Sequence, residues 1–151
     1  MRRALTVLLC LLALGGCGTL PELDPTPPSK GAARVVDPRL LAANPSSYNG
    51  ANLIVQGEAL TVVQHGDYTW VQVLARIPGK SYDAESVVVE LRPAVPSFLP
   101  GECYAFYAVG AGTQRVERTL TGTASEVPLL RGYHYYSSVA SSAGTCGAPA
   151  P

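Results

Sequence analysis

Across residues 52–64 and 68–75 apolar side chains alternate with polar ones, in runs rich in Val, Leu, Ile, Thr, Trp and Tyr. A period of two predicts β-strands. His65-Gly66-Asp67 separates the runs, so the pair reads as a hairpin. In the first run Leu53, Val55, Gly57 and Ala59 share one parity, whereas Leu60 and Val62 fall on the other. A one-residue slip moves every side chain to the opposite face, so this flip predicts a bulge or sharp bend between Gly57 and Leu60. Val55 should face the core before it and Leu60 or Val62 after it, which lets one long strand serve both halves of a small barrel. In the second run Val71, Val73 and Ala75 oppose Tyr68, Trp70, Gln72 and Leu74.

Upstream, Asp37-Pro38 has the form of an N-cap followed by proline in the first helical turn, and Asn44-Pro45 stops the helix after a turn or two. Leu40 and Leu41 are expected to cover an open end of the β structure, with Tyr48 beside them. Residues 86–91 form a third predicted strand with Val87, Val89 and Leu91 inward. Pro93, Pro96 and Pro100 then argue against a helix. A fourth strand is predicted over residues 103–109, Tyr104, Phe106 and Ala108 alternating with Cys103, Ala105, Tyr107 and Val109. An extra pairing is expected near residues 118–120, and a fifth strand runs over 127–136. The result is an all-β domain over residues 37–139, followed by a low-complexity tail at 140–151.

Met1-Arg2-Arg3 and the eleven-residue apolar run from Ala4 to Leu14 match the basic and apolar regions of an export signal, too short to span a bilayer. The run ends in Leu14-Gly15-Gly16-Cys17, which resembles the lipobox of bacterial lipoproteins. That resemblance implies a signal peptide over residues 1–16 and lipidation of Cys17 by diacylglycerol and acyl (palmitate-type) chains. The partner is then a membrane, reached through a lipid anchor in the cell envelope outside the cytoplasmic membrane. Several acyl chains hold stably at roughly 0.8 kcal/mol per buried CH₂. Residues 17–36 carry Pro21, Pro25, Pro27 and Pro28 and read as a semi-rigid tether.

The order of elements resembles exported bacterial OB-fold modules over residues 37–136. The residues that carry it are Asn44-Pro45 and Tyr48-Asn49-Gly50 leading into Leu53, Gly101-Glu102 before the fourth strand, and Val127-Pro128 opening the last. A five-stranded OB-like barrel with a short N-terminal helix is what this implies. The usual helix after the third strand is missing, and so is the basic, aromatic surface of nucleic-acid-binding relatives.

Composition agrees with a packed domain, since 47% of residues are hydrophobic and 15% charged. Eleven Lys and Arg balance eleven Asp and Glu, and loss of Arg2 and Arg3 with the signal leaves the mature chain near −2. Nucleic acid is therefore not an expected partner. The two histidines, His65 and His134, lie far apart in a predicted turn and a predicted strand, and no cofactor or metal site is expected. No serine or threonine sits in a nucleophile pattern, so a non-enzymatic binding or structural module is the expectation. Cys10 leaves with the signal and Cys17 is committed to lipid. Cys103 and Cys146 remain in a compartment that permits disulfides, and an internal bond is favoured over free or interchain thiols. The aromatics fall on three predicted strands and have two fates. Filling the core is the commoner. If instead several share an outer face, Tyr68, Trp70, Tyr104 and Tyr107 would make a platform for a saccharide or peptide ligand, or for another protein.

Overall fold

The structure, a computed structural model, describes residues 28–77, 84–95, 97–117, 124–138 and 146. The elements are β1 (Arg34–Val35), α1 (Pro38–Ala43), β2 (Asn52–His65), β3 (Tyr68–Ala75), β4 (Glu85–Leu91), β5 (Cys103–Glu117) and β6 (Ala124–Ser138). Short 3-10 turns cover Lys30–Ala32 and Pro45–Tyr48. The signal, Cys17, the first part of the tether, the pairing expected near residues 118–120 and all of the tail except Cys146 lie outside the described residues.

The sheet runs β1-β2-β3-β4-β6-β5, and β2 also pairs with β5. That last pairing closes a ring. Strands β2 to β6 therefore form a five-stranded barrel, with β4–β6 parallel and the other ring pairings antiparallel. Closure in this order is the OB-type Greek-key arrangement. Closing a sheet removes the unpaired edges along which strands would otherwise aggregate.

The predicted flip in β2 is present as a register shift between Ala59 and Thr61. Leu60 is the extra residue, so it leaves the core and is 40% exposed, while Val62 packs against the buried cluster. Val62 thus fulfils the inward role after the bend, and Leu60 does not. Gly57 lies where β2 is paired on both edges, with Ala75 of β3 and Tyr104 of β5. A methyl there would run into the Leu74 carbonyl and the Val73 side chain. Gly110 is similar, since its Cα faces the Tyr48 carbonyl at close range.

Buried Val55, Val71, Val73, Val87, Val89, Phe106 and Leu130 fill the barrel, each burial stabilising by about 1.5–3 kcal/mol relative to exposure. Asp37 caps α1, its carboxylate accepting from the Arg39 N–H, and Pro38 follows as predicted. Only one of the two predicted cover residues plugs the barrel. Leu41 is buried, whereas Leu40, one position round the helix, is 58% exposed. At another position Phe98 packs on Tyr104, Phe106 and Tyr135, and the Thr69 hydroxyl donates to the Val95 carbonyl and accepts from its N–H.

Three boundaries differ from those expected. Arg34 and Val35 pair in parallel with Leu53 and Ile54, and Val36 is buried, so the folded unit takes in the end of the segment read as tether. Strands β5 and β6 extend to Glu117 and back to Ala124, well past the predicted ends. They form an arm whose polar alternation looks like loop when read without its partner. A shift between Gly110 and Thr113 marks where the arm leaves the barrel. Cys103 and Cys146 are joined, Cα atoms 5.4 Å apart, and both are buried.

Candidate ligand-binding site

The outward parity of β3 carries Tyr68, Trp70 and Gln72 onto the barrel's surface. Cross-strand pairing of His65 with Tyr68 and of Val63 with Trp70 sets two more side chains beside them. His65 stacks on Tyr68 at 4.8 Å and meets Trp70 edge-on at 5.2 Å, and Tyr68 and Trp70 lie 5.5 Å apart. Aromatic pairs at these separations contribute about 0.5–1.5 kcal/mol beyond area burial, enough to hold the three rings as one surface.

A chain of polar contacts fixes their orientation. The Trp70 indole N–H donates to Glu90 Oε2 at 2.9 Å, Arg92 Nε donates to Glu90 Oε1 at 2.9 Å, and Arg92 Nη1 donates to Asp67 Oδ2 at 2.9 Å. The guanidinium also sits 4.8 Å from the centre of the Tyr68 ring. Burial pushes the Glu90 carboxyl up, but hydrogen bonds from Trp70 and Arg92 and the charges of Arg92 and Arg131 outweigh it, so its pKa lies below the usual value. Glu90 is therefore an anion at neutral pH. Gln72 Nε2 donates to Ser86 Oγ at 2.9 Å farther along the face.

The β5–β6 arm lies opposite. Arg115, Val116 and Glu117 face Thr61, Val63, His65, Trp70, Gln72 and Val88 across a cleft of about 240 Å³. Val88 has outward parity yet is 2% exposed, a consequence of lying at the floor of this cleft. Around the cleft Asp67, Glu90 and Glu117 stand against Arg92 and Arg115, a balance unsuited to a polyphosphate chain.

The four aromatics expected as a platform do not come together. Tyr68 and Trp70 share the face just described. Tyr104 is inside the barrel, 3% exposed, its N-terminal neighbour Cys103 taking the outward parity. Its hydroxyl accepts from the Leu99 N–H and donates to Glu102, and burial raises its pKa. Tyr104 is a core residue. Tyr107 faces outward on a different part of the ring, edge-on to Tyr133, His134 and Tyr136. The reading by sequence missed His65, Glu90 and Arg92. His65 was detectable, because a two-residue turn at Gly66-Asp67 puts it opposite Tyr68, whereas Glu90 and Arg92 join the site only through the β3–β4 register.

Among the described residues no group of three or more His, Cys, Asp and Glu could hold a metal ion. No helix there is long and apolar enough to cross a membrane. No protein-family model matches the chain, and no curated protein matches it. Among solved structures it is similar to a chain assigned as an aspartyl-tRNA synthetase from Leishmania major Friedlin, with 12% identity and a TM-score of 0.44. The match covers 78% of this chain and 23% of that one. A likeness at this level transfers neither activity nor partner.

Proposed function

We propose that this protein is a lipid-anchored, non-enzymatic binding module of the cell envelope that captures a saccharide ligand on the Tyr68–Trp70 face. The anchor half of this reading rests on Leu14-Gly15-Gly16-Cys17 and the apolar run before it. The binding half rests on one observation: His65, Tyr68 and Trp70 are held outward by Glu90, Arg92 and Asp67 beside a cleft that the β5–β6 arm closes. Rigid aromatic rings offer flat apolar area to the C–H face of a sugar ring at little cost in side-chain entropy, and polar groups at their edges serve its hydroxyls.

Trp70 is the sole tryptophan, so fluorescence excited at the red edge, where tyrosine does not absorb, reports on this site alone. Titration of the mature protein with envelope glycan fragments should shift Trp70 emission saturably, and Tyr68→Ala should weaken the binding roughly tenfold or more, as loss of an anchor at a binding site commonly does. A response to peptides and not to sugars would move the ligand class. Unchanged emission with every glycan and peptide would leave a purely structural module. The anchor is tested separately by mass spectrometry of Cys17. Cys17→Ser should release the protein from membranes still folded.

A further inference from the structure

On another part of the barrel, where the tether enters, a second apolar surface lies open. Val35 of β1 and Leu40 of α1 are each 58% exposed, and both line one shallow groove together with Arg34, Val36 and Tyr48. Exposed Val and Leu are ordinary singly, but two flanking one groove make a patch. Arg34 adds positive charge in the groove, while Arg39 is paired with Asp37 at 2.9 Å and the Lys30 ammonium turns to the Tyr136 hydroxyl at 3.2 Å.

The chain itself says what this surface meets. Ten residues, 18–27, separate Cys17 from Pro28, which at full extension reach no more than about 40 Å. Pro28 and Ser29 lead directly onto this side of the barrel, where Asn52 Nδ2 donates to the Ser29 carbonyl and β1 pairs with the start of β2. A lipid anchor at Cys17 would therefore draw this surface, before any other, toward the headgroups. Apolar side chains beside an arginine suit an interface where acyl chains begin and anionic phosphates lie just outside.

Building on the lipid-anchor reading, we propose that Val35 and Leu40 insert into the interface of an anionic membrane while Arg34 engages its phosphates. The contact fixes the barrel's orientation on the bilayer. Without it the anchor would leave the barrel free to tumble.

The test uses full-length protein, acylation of Cys17 verified by mass, reconstituted into phosphatidylglycerol–phosphatidylcholine vesicles that carry a nitroxide-labelled lipid. Bimane is attached at Leu40→Cys or, as a control at the far end of β2, at Gln64→Cys, without reductant. Leu40 should be quenched several-fold more strongly than Gln64, and Arg34→Glu should sharply reduce the difference. Equal, weak quenching at both positions on vesicles that float with acylated protein would overturn the proposal and leave the anchor standing. Unacylated Cys17 with protein that does not float would overturn both. A bimane signal at Leu40 that changes with protein concentration in detergent, and not with the quenching lipid, would assign the patch to a second copy and also overturn it.

Discussion

Glu90 shows how one side chain couples the barrel to the Tyr68–Trp70 face. Its carboxylate holds the Trp70 indole on one oxygen and Arg92 on the other. Because its folded pKa is lowered, its contribution to stability is full above the ordinary glutamate range and is lost as pH falls through the lowered value. Glu90→Gln keeps an acceptor for Trp70 but loses the charge. It should cost on the order of 1 kcal/mol at neutral pH, a difference that closes in acid, as melts across pH would record. His134 poses the opposite problem. Its Nε2 is buried without a hydrogen-bond partner, between Tyr107 and Tyr136. Burial first, and then the charge of Lys30, lower its pKa. The unfolded chain therefore binds a proton that the folded one refuses, and stability falls as pH drops below the ordinary histidine value of 6.5. His134→Phe should flatten that decline between neutral and mildly acid pH, and an unchanged slope would assign it elsewhere.

Among the elements, β2 decides the architecture. Its first half pairs with β5 and its second with β3 alone, and the overlap at Gly57 and Glu58 is where the strand coils. Val55 faces the core before the bulge and Val62 after it. Val55→Asp and Val62→Asp should each destabilise by several kcal/mol through an unpaired buried charge, Val55 more, because Val62 is only partly buried. Leu60→Asp, at the bulge, should be mild. If Leu60→Asp and Val62→Asp melted alike, the bulge would be misplaced by two residues. Gly57→Ala should also destabilise markedly, since the added methyl meets the Leu74 carbonyl, a backbone atom that cannot step aside.

At the scale of the whole molecule, the Cys103–Cys146 bond ties the chain's end to the start of β5 across 43 residues. On the chain-entropy model closing such a loop stabilises by about 4 kcal/mol. Non-reducing peptide mapping of the native protein should recover this intramolecular disulfide, and Cys146→Ser should lower the melting temperature of oxidised protein to that of reduced wild type. The bond and the Tyr68–Trp70 face lie on different parts of the ring. Loss of the bond should therefore leave Trp70 emission in the folded protein unchanged.

Alternation is a local property of the backbone, and for that reason the hairpin, the parity flip near Gly57, the division of β3 into two faces, the inward face of β4 and the capped helix at Asp37 were all legible in the chain alone. Their existence depends on neighbours a few residues away. Which strands pair is a long-range matter, and from pairing alone came the extended β5–β6 arm, the inclusion of Arg34 and Val35 in the sheet, and the burial of Val88 beneath the arm. The fate of the aromatics shows the division clearly. Tyr68 and Trp70 could be placed on one face by their spacing of two, but whether that face turned inward or outward, and whether Tyr104 and Tyr107 joined it, depended on the ring's closure. A strand's period says which side chains share a face, whereas only the packing of the other strands decides which face meets water.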